Sequence, residues 1–105
     1  DLSLLGRVDI GSAPDNLNVN ADGTVWIAAH AKVLALIRHF GDASSPAPTQ
    51  ILKLAPDEDV GAMTVEQVYL DAGKQMSAGS VAAVLNKQML IGSITERKVL
   101  QCRLP

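Results

Sequence analysis

Asp15-Asn16-Leu17-Asn18-Val19-Asn20-Ala21-Asp22-Gly23-Thr24-Val25-Trp26-Ile27-Ala28-Ala29-His30 decides the fold. Leu17 to Asn20 alternates apolar and polar, the two-residue period of a strand with one face covered. Ala21-Asp22-Gly23 follows, and Asp and Gly tolerate the positive φ that tight hairpin turns need. Thr24 to Ala29 then returns through β-branched and aromatic residues, the composition of a second strand. The stretch predicts a β-hairpin.

Outward from the hairpin the same period recurs. Upstream, Leu4 to Ile10 reads as a further strand, broken by Gly11-Ser12-Ala13-Pro14. Downstream, strands are expected at 50–55, 65–70, 81–86, 88–94 and 98–103, with a turn at Asn86-Lys87. One segment differs. Val33, Leu34, Ile37 and Phe40 fall at helical spacing, and Gly41 is a stop signal, so an amphipathic helix is expected over 31–40. Its His39 is read as a surface residue. Ser44-Ser45-Pro46-Ala47-Pro48 is a loop, and Asp57, Glu58 and Asp59 lie in an acidic loop from Pro56 to Gly61. Many short strands and one helix predict an all-β assembly rather than a parallel α/β fold. Leu17–Ala29 and Val81–Ser93 also echo one another, with Ile27 and Ile91 at matching points.

Composition narrows the function. The 105 residues are 48% hydrophobic and 19% charged, an ordinary globular balance and one domain at most. Nine Lys and Arg against eleven Asp and Glu leave a net charge of −2, with no basic excess to hold a phosphate backbone. No apolar run approaches the roughly 18 residues of a membrane span. Asp1-Leu2-Ser3 shows no basic stretch before an apolar core, and a processed chain, fragment or trimmed piece without a leader is expected. Cys102 is the single cysteine, so it is either a buried thiol or bonded to a partner outside this sequence.

Asp15-Asn16 is the leading candidate for chemistry. A carboxylate beside an amide carbonyl suits calcium, which takes six to eight oxygen ligands, although Asp-Asn before a strand also makes a common turn. His30 ends the second strand of the same hairpin. It reads either as a proton-transfer residue or as a histidine packed at a strand end. No serine lies in G-x-S-x-G, and Ala78-Gly79-Ser80 is no nucleophile elbow. The acidic loop lacks the spacing of an EF-hand and reads as solvated.

Three stretches together resemble the paraoxonase and arylesterase family. They are Asp15-Asn16-Leu17-Asn18-Val19 through Trp26-Ile27-Ala28-Ala29-His30; Gln67-Val68-Tyr69 with Gly79-Ser80-Val81-Ala82-Ala83-Val84; and Leu90-Ile91-Gly92-Ser93 with Leu100-Gln101-Cys102-Arg103-Leu104. Their order and spacing are similar to the family's C-terminal region across essentially the whole chain. The resemblance implies about two C-terminal blades of a six-bladed β-propeller. Residues 1–15 would be an outer strand of the preceding blade and a linker, 16–71 one blade, and 72–105 three strands of the last. It implies a calcium-dependent hydrolase of aryl esters or lactones, with Asp15 and Asn16 on the catalytic calcium and His30 in the pocket. Ser80 and Ile94 would be pocket walls. A second, structural calcium is implied, with ligands mostly outside this sequence.

The resemblance also implies that Cys102 bonds to a cysteine near the N-terminus of the whole protein, where a missing strand closes the ring. Such a bond would favour a secreted or periplasmic parent. The chain alone would be an open arc with unpaired strand edges and is expected to be inactive. The helix at 31–40 departs from the best-known animal members, whose segment is shorter; it would be a lid over the channel mouth or a packed surface helix. The alternative is a non-catalytic or strictosidine-synthase-like propeller that serves as a binding module, which would have no need of the Asp15-Asn16 pair.

Overall fold

The quoted hairpin forms. In the computed structural model, which describes residues 2–59 and 61–105, β1 (Ala13–Val19) pairs antiparallel with β2 (Val25–His30). The turn is held by the Asp22 carboxylate, which accepts the Thr24 N–H at 2.9 Å, and by Gly23 at φ +86°. Helix α1 (Val33–Gly41) leaves β2, and β3 (Thr49–Pro56) and β4 (Met63–Asp71) complete a sheet of order β1-β2-β3-β4. A second sheet follows, β5 (Gly79–Leu85), β6 (Gln88–Ser93) and β7 (Val99–Arg103), in that order. Asn86 and Lys87, both at positive φ, make the β5–β6 turn where the sequence places it. The chain is all-β with one helix, its two antiparallel meanders packed against each other. Asp1, and Val60 of the acidic loop, lie outside the described residues.

The sheets meet through β1, β2 and β5. Between them Trp26, Ala28 and Ile51 of the first pack against Ala82, Met89 and Ile91 of the second, with Met76 from the connecting loop. Burying Ile or Met side chains stabilises by about 1.5–3 kcal/mol each. Thr49 ties the loop to the sheet, donating to the Met76 carbonyl at 2.6 Å and accepting the Gly79 N–H at 3.0 Å. A Cβ on Gly79 would sit 2.3 Å from Thr49 Cγ2, so that approach requires glycine.

The opposite face of the first sheet carries a second apolar group, Ile27, Ala29, Leu52 and Leu54. Val8 and Ile10 lie against it. This corrects the expected strand at 4–10, which does not form. A strand requires a ladder partner at a sheet edge; this segment lies across a sheet face instead. It packs two apolar side chains inward while Arg7 and Asp9 pair in solvent at 3.0 Å. The other elements stand within a few residues of their expected bounds. The largest shift is at β1, which begins at Ala13 and so includes Asp15 and Asn16 rather than following them.

Candidate functional site

Ala13 faces His30 and Pro14 faces Ala29, but the next pair is Leu17 with Ile27. Asp15 and Asn16 therefore share one opposite residue, Ala28, in a β-bulge. Regular strands send successive side chains to opposite faces; a bulge re-aims one of them. Asp15 Oδ2 lies 2.9 Å from His30 Nε2, and Asn16 Nδ2 donates to the Ser80 carbonyl of β5 at 3.0 Å. Both adjacent side chains thus serve the side of the sheet that meets β5. Pro14 costs no ladder bond of consequence because β1 is an edge strand.

The bonds fix which atoms remain available. A carbonyl only accepts, so Asn16 turns its NH2 toward Ser80 and leaves Oδ1 on the other side. Facing an ionised carboxylate, His30 Nε2 carries the ring proton. In the neutral ring His30 Nδ1 is then a buried acceptor with no partner among the described residues. Asp15 keeps Oδ1 unused by this contact, and its side chain is part-exposed whereas His30 is buried. One ionised oxygen and one amide oxygen suit a hard cation such as calcium and amount to two of its six to eight ligands. Among the described residues no cluster of three or more His, Cys, Asp or Glu side chains could hold a metal. Further ligands would have to be other oxygens or come from elsewhere.

Ser80 stands at a second bulge. Gly79 pairs with Ser93 and Val81 with Gly92, so Ser80 is the extra residue. Its position matches that of the β1 bulge, and the Asn16–Ser80 bond spans the same 64 residues as the sequence echo. Ser80 is buried, while Ile94 is half exposed just beyond β6, its N–H bonded to the Ala78 carbonyl at 3.1 Å. Asp15, Asn16, His30, Ser80 and Ile94 all lie at one end of the paired sheets. Cys102 does not; it pairs with Met89 toward the other end of β7 and is a part-buried free thiol. A recess of about 610 Å³ touches His30 and Pro14 but is lined mainly by the Val8–Ala13 side and excludes Asp15, Asn16 and Ser80.

Helix α1 overturns one expectation. His39 is 4% exposed rather than on the surface. The Ser45 carbonyl, 2.8 Å from Nδ1, requires a proton there; in the neutral ring Nε2 then accepts the Thr95 hydroxyl at 2.6 Å. Two directed bonds turn the polar residue inward. Val33, Leu34, Ile37 and Phe40 consequently face out, between 48% and 70% exposed. Asn18 and Asn20, outside the candidate set, also face β5: their amides donate to the carbonyls of Ala82 and Val84. Their signal was visible: a polar residue at every second position of a strand whose other side chains are apolar.

With this geometry in view, a profile of the Arylesterase family matches residues 1–104. The chain belongs to the arylesterase family. It is similar to serum paraoxonase/arylesterase 2 of Gallus gallus, 28% identical over 99% of this chain and 28% of the relative. Serum paraoxonase/arylesterase 1 of Homo sapiens is 27% identical over 98% of this chain, and mechanosensory abnormality protein 6 of Caenorhabditis elegans is 30% identical over 98%. The chain spans 28% of the length of each. No helix among the described residues is long and apolar enough to cross a membrane.

The described residues of the acidic loop bond mainly to the loop's own backbone. Asp57 accepts the Glu58 N–H at 2.7 Å, and the Asp57 and Ala62 N–H groups close a turn with carbonyls of Ala62 and Asp59. All three acidic side chains face solvent.

Proposed function

We propose that the full-length protein is a calcium-dependent hydrolase of aryl esters or lactones, with Asp15 and Asn16 supplying two of the oxygens that hold the catalytic ion. The observation that carries this reading is the β1 bulge, which sends the side chains of two adjacent residues, a carboxylate and an amide, to one side of the sheet. Family membership supports the reaction class. When bound, calcium would polarise the substrate carbonyl and stabilise the negative charge that develops on it.

The chain's own residues do the rest of what it contributes. Asp15 Oδ2 holds His30 by Nε2 and leaves Oδ1 for the ion, so one carboxylate fixes both. His30 Nδ1, with its lone pair free, assists in taking a proton from water; the principal base lies elsewhere in the protein. Ser80 and Ile94 border the substrate, and α1 stands at the mouth beside them, where it bears on substrate choice. The remaining ligands, the ring of six blades and the partner of Cys102 belong to the rest of the polypeptide. A Cys102 disulfide would place that polypeptide in a secreted or periplasmic compartment. The 105 residues alone are expected to turn over little or no substrate.

In the full-length protein, Asp15→Ala and Asn16→Ala should each weaken calcium binding and abolish hydrolysis of aryl esters and lactones. Turnover that survives both substitutions and excess chelator sinks the metal mechanism. A second reading, a binding propeller without catalysis, is favoured by one relative whose name refers to mechanosensation rather than hydrolysis. A folded full-length protein that hydrolyses no aryl ester or lactone, with or without calcium, would select it.

A further inference from the structure

β1 and β5 run side by side in the same direction, and three amides bridge them. Asn16 Nδ2 donates to Ser80 O at 3.0 Å, Asn18 Nδ2 to Ala82 O at 2.7 Å, and Asn20 Nδ2 to Val84 O at 3.4 Å. Each bridge joins residues 64 apart, so the two strands are in step throughout. β5 is an edge strand of its sheet. Alternate carbonyls of an edge strand point away from its one neighbour, and Ser80, Ala82 and Val84 have that spacing. The asparagines satisfy groups that would otherwise be left without partners next to the buried Trp26 and Ala82.

We infer that Asn18 and Asn20 are positioning residues for the calcium site, acting through Asn16; this rests on the hydrolase reading above. Three amides at a two-residue period define one register. Sliding β1 by one period would re-pair two of them and strand the third, and would move Asn16 by about 6.6 Å along the strand. Calcium–oxygen distances vary only over about 2.3–2.6 Å, so such freedom is incompatible with a fixed ligand. The first bridge also sets the polarity of Asn16, because its NH2 is engaged and Oδ1 alone is left for the ion. Asn18 makes the shortest bond and stands next to Asn16 on the ladder. Asn20 makes the longest and is farther away, so the dependence should decline along the strand.

The test uses the full-length protein and reads calcium affinity by competition with a chromophoric chelator, beside the melting temperature of the calcium-free form. Asn18→Ala is expected to weaken calcium binding by about tenfold, as removal of groups that orient metal ligands generally does, and Asn20→Ala by no more than about twofold. Calcium should also lose ground relative to strontium in Asn18→Ala, because a looser site discriminates ion size less well. A ladder that only docks one sheet on the other would lower the melting temperature and leave both affinity and selectivity of the folded protein unchanged. That result overturns the inference. Should Asn18→Ala not fold, Asn18→Ser decides in its place, since it keeps a donor on a shorter arm: weakened affinity supports the ladder's role, unchanged affinity overturns it. A parent that binds no calcium overturns the hydrolase reading itself. A parent that loses calcium in Asn16→Ala but keeps it in Asn18→Ala overturns the positioning role alone.

Discussion

The β1–β2 hairpin and helix α1 are consecutive in the chain, yet their patterns relate to burial in opposite ways. In the hairpin, polar Asn16, Asn18 and Asn20 and apolar Trp26 and Ala28 share the side that meets β5. The polar members are there because an edge strand offers them carbonyls. In α1 the apolar stripe is exposed and a histidine is buried. Hydrophobicity alone assigns both faces poorly; the directed bonds assign them correctly. A buried polar group must find partners, and where partners exist they can decide which face turns inward.

Substitution can break this contrast. The largest stability effect should come from the apolar layer beneath the hairpin: Met76→Ala in the full-length protein should cost about 2–5 kcal/mol, read by denaturant unfolding. His39→Leu comes next. It removes both anchors of α1 and leaves the Ser45 carbonyl and Thr95 hydroxyl without that partner, for a loss of about 1–3 kcal/mol. If His39→Leu were stabilising, bond-directed burial of the helix would be wrong. Phe40→Ser should change stability by less than about 0.5 kcal/mol, since the side chain is mostly in solvent. A loss comparable to that of Met76→Ala would mean that the apolar stripe is covered after all.

The smallest effect concerns pH at the end of the helix. The Ser44 hydroxyl, followed by its N–H, bonds the Asp42 carboxylate and holds its pKa below the ordinary 3.8. A depressed carboxyl stabilises the fold above its unfolded value and ceases to do so as pH falls through the lower, folded value. The Ser44 amide resonance should therefore titrate below pH 3.8, and a midpoint above that value would show the turn to be loose.

Much of this was legible in the residues. Asp22-Gly23 and Asn86-Lys87 announced their turns, and alternation located the seven described strands to within a few residues. Leu4–Ile10 misled because alternation describes a segment's faces and says nothing of a neighbour to pair with. Its Val8 and Ile10 are half-buried, but against a sheet face. The bulge was not legible either. It is a mismatch between two strands, two residues against one, and only the register of β1 on β2 reveals it. His39 was misplaced for a related reason: Thr95 is 56 residues away, and no local pattern points to it.

The proposed role of the β1 bulge is to present Asp15 and Asn16 as calcium ligands. Calorimetric titration of the metal-free full-length protein with calcium, beside its Asn16→Ala variant, tests it most directly. The expected result is a binding event in the parent that is weakened by at least about tenfold in the variant while the melting temperature of the metal-free form changes little. Identical calcium isotherms for the two folded proteins would contradict it.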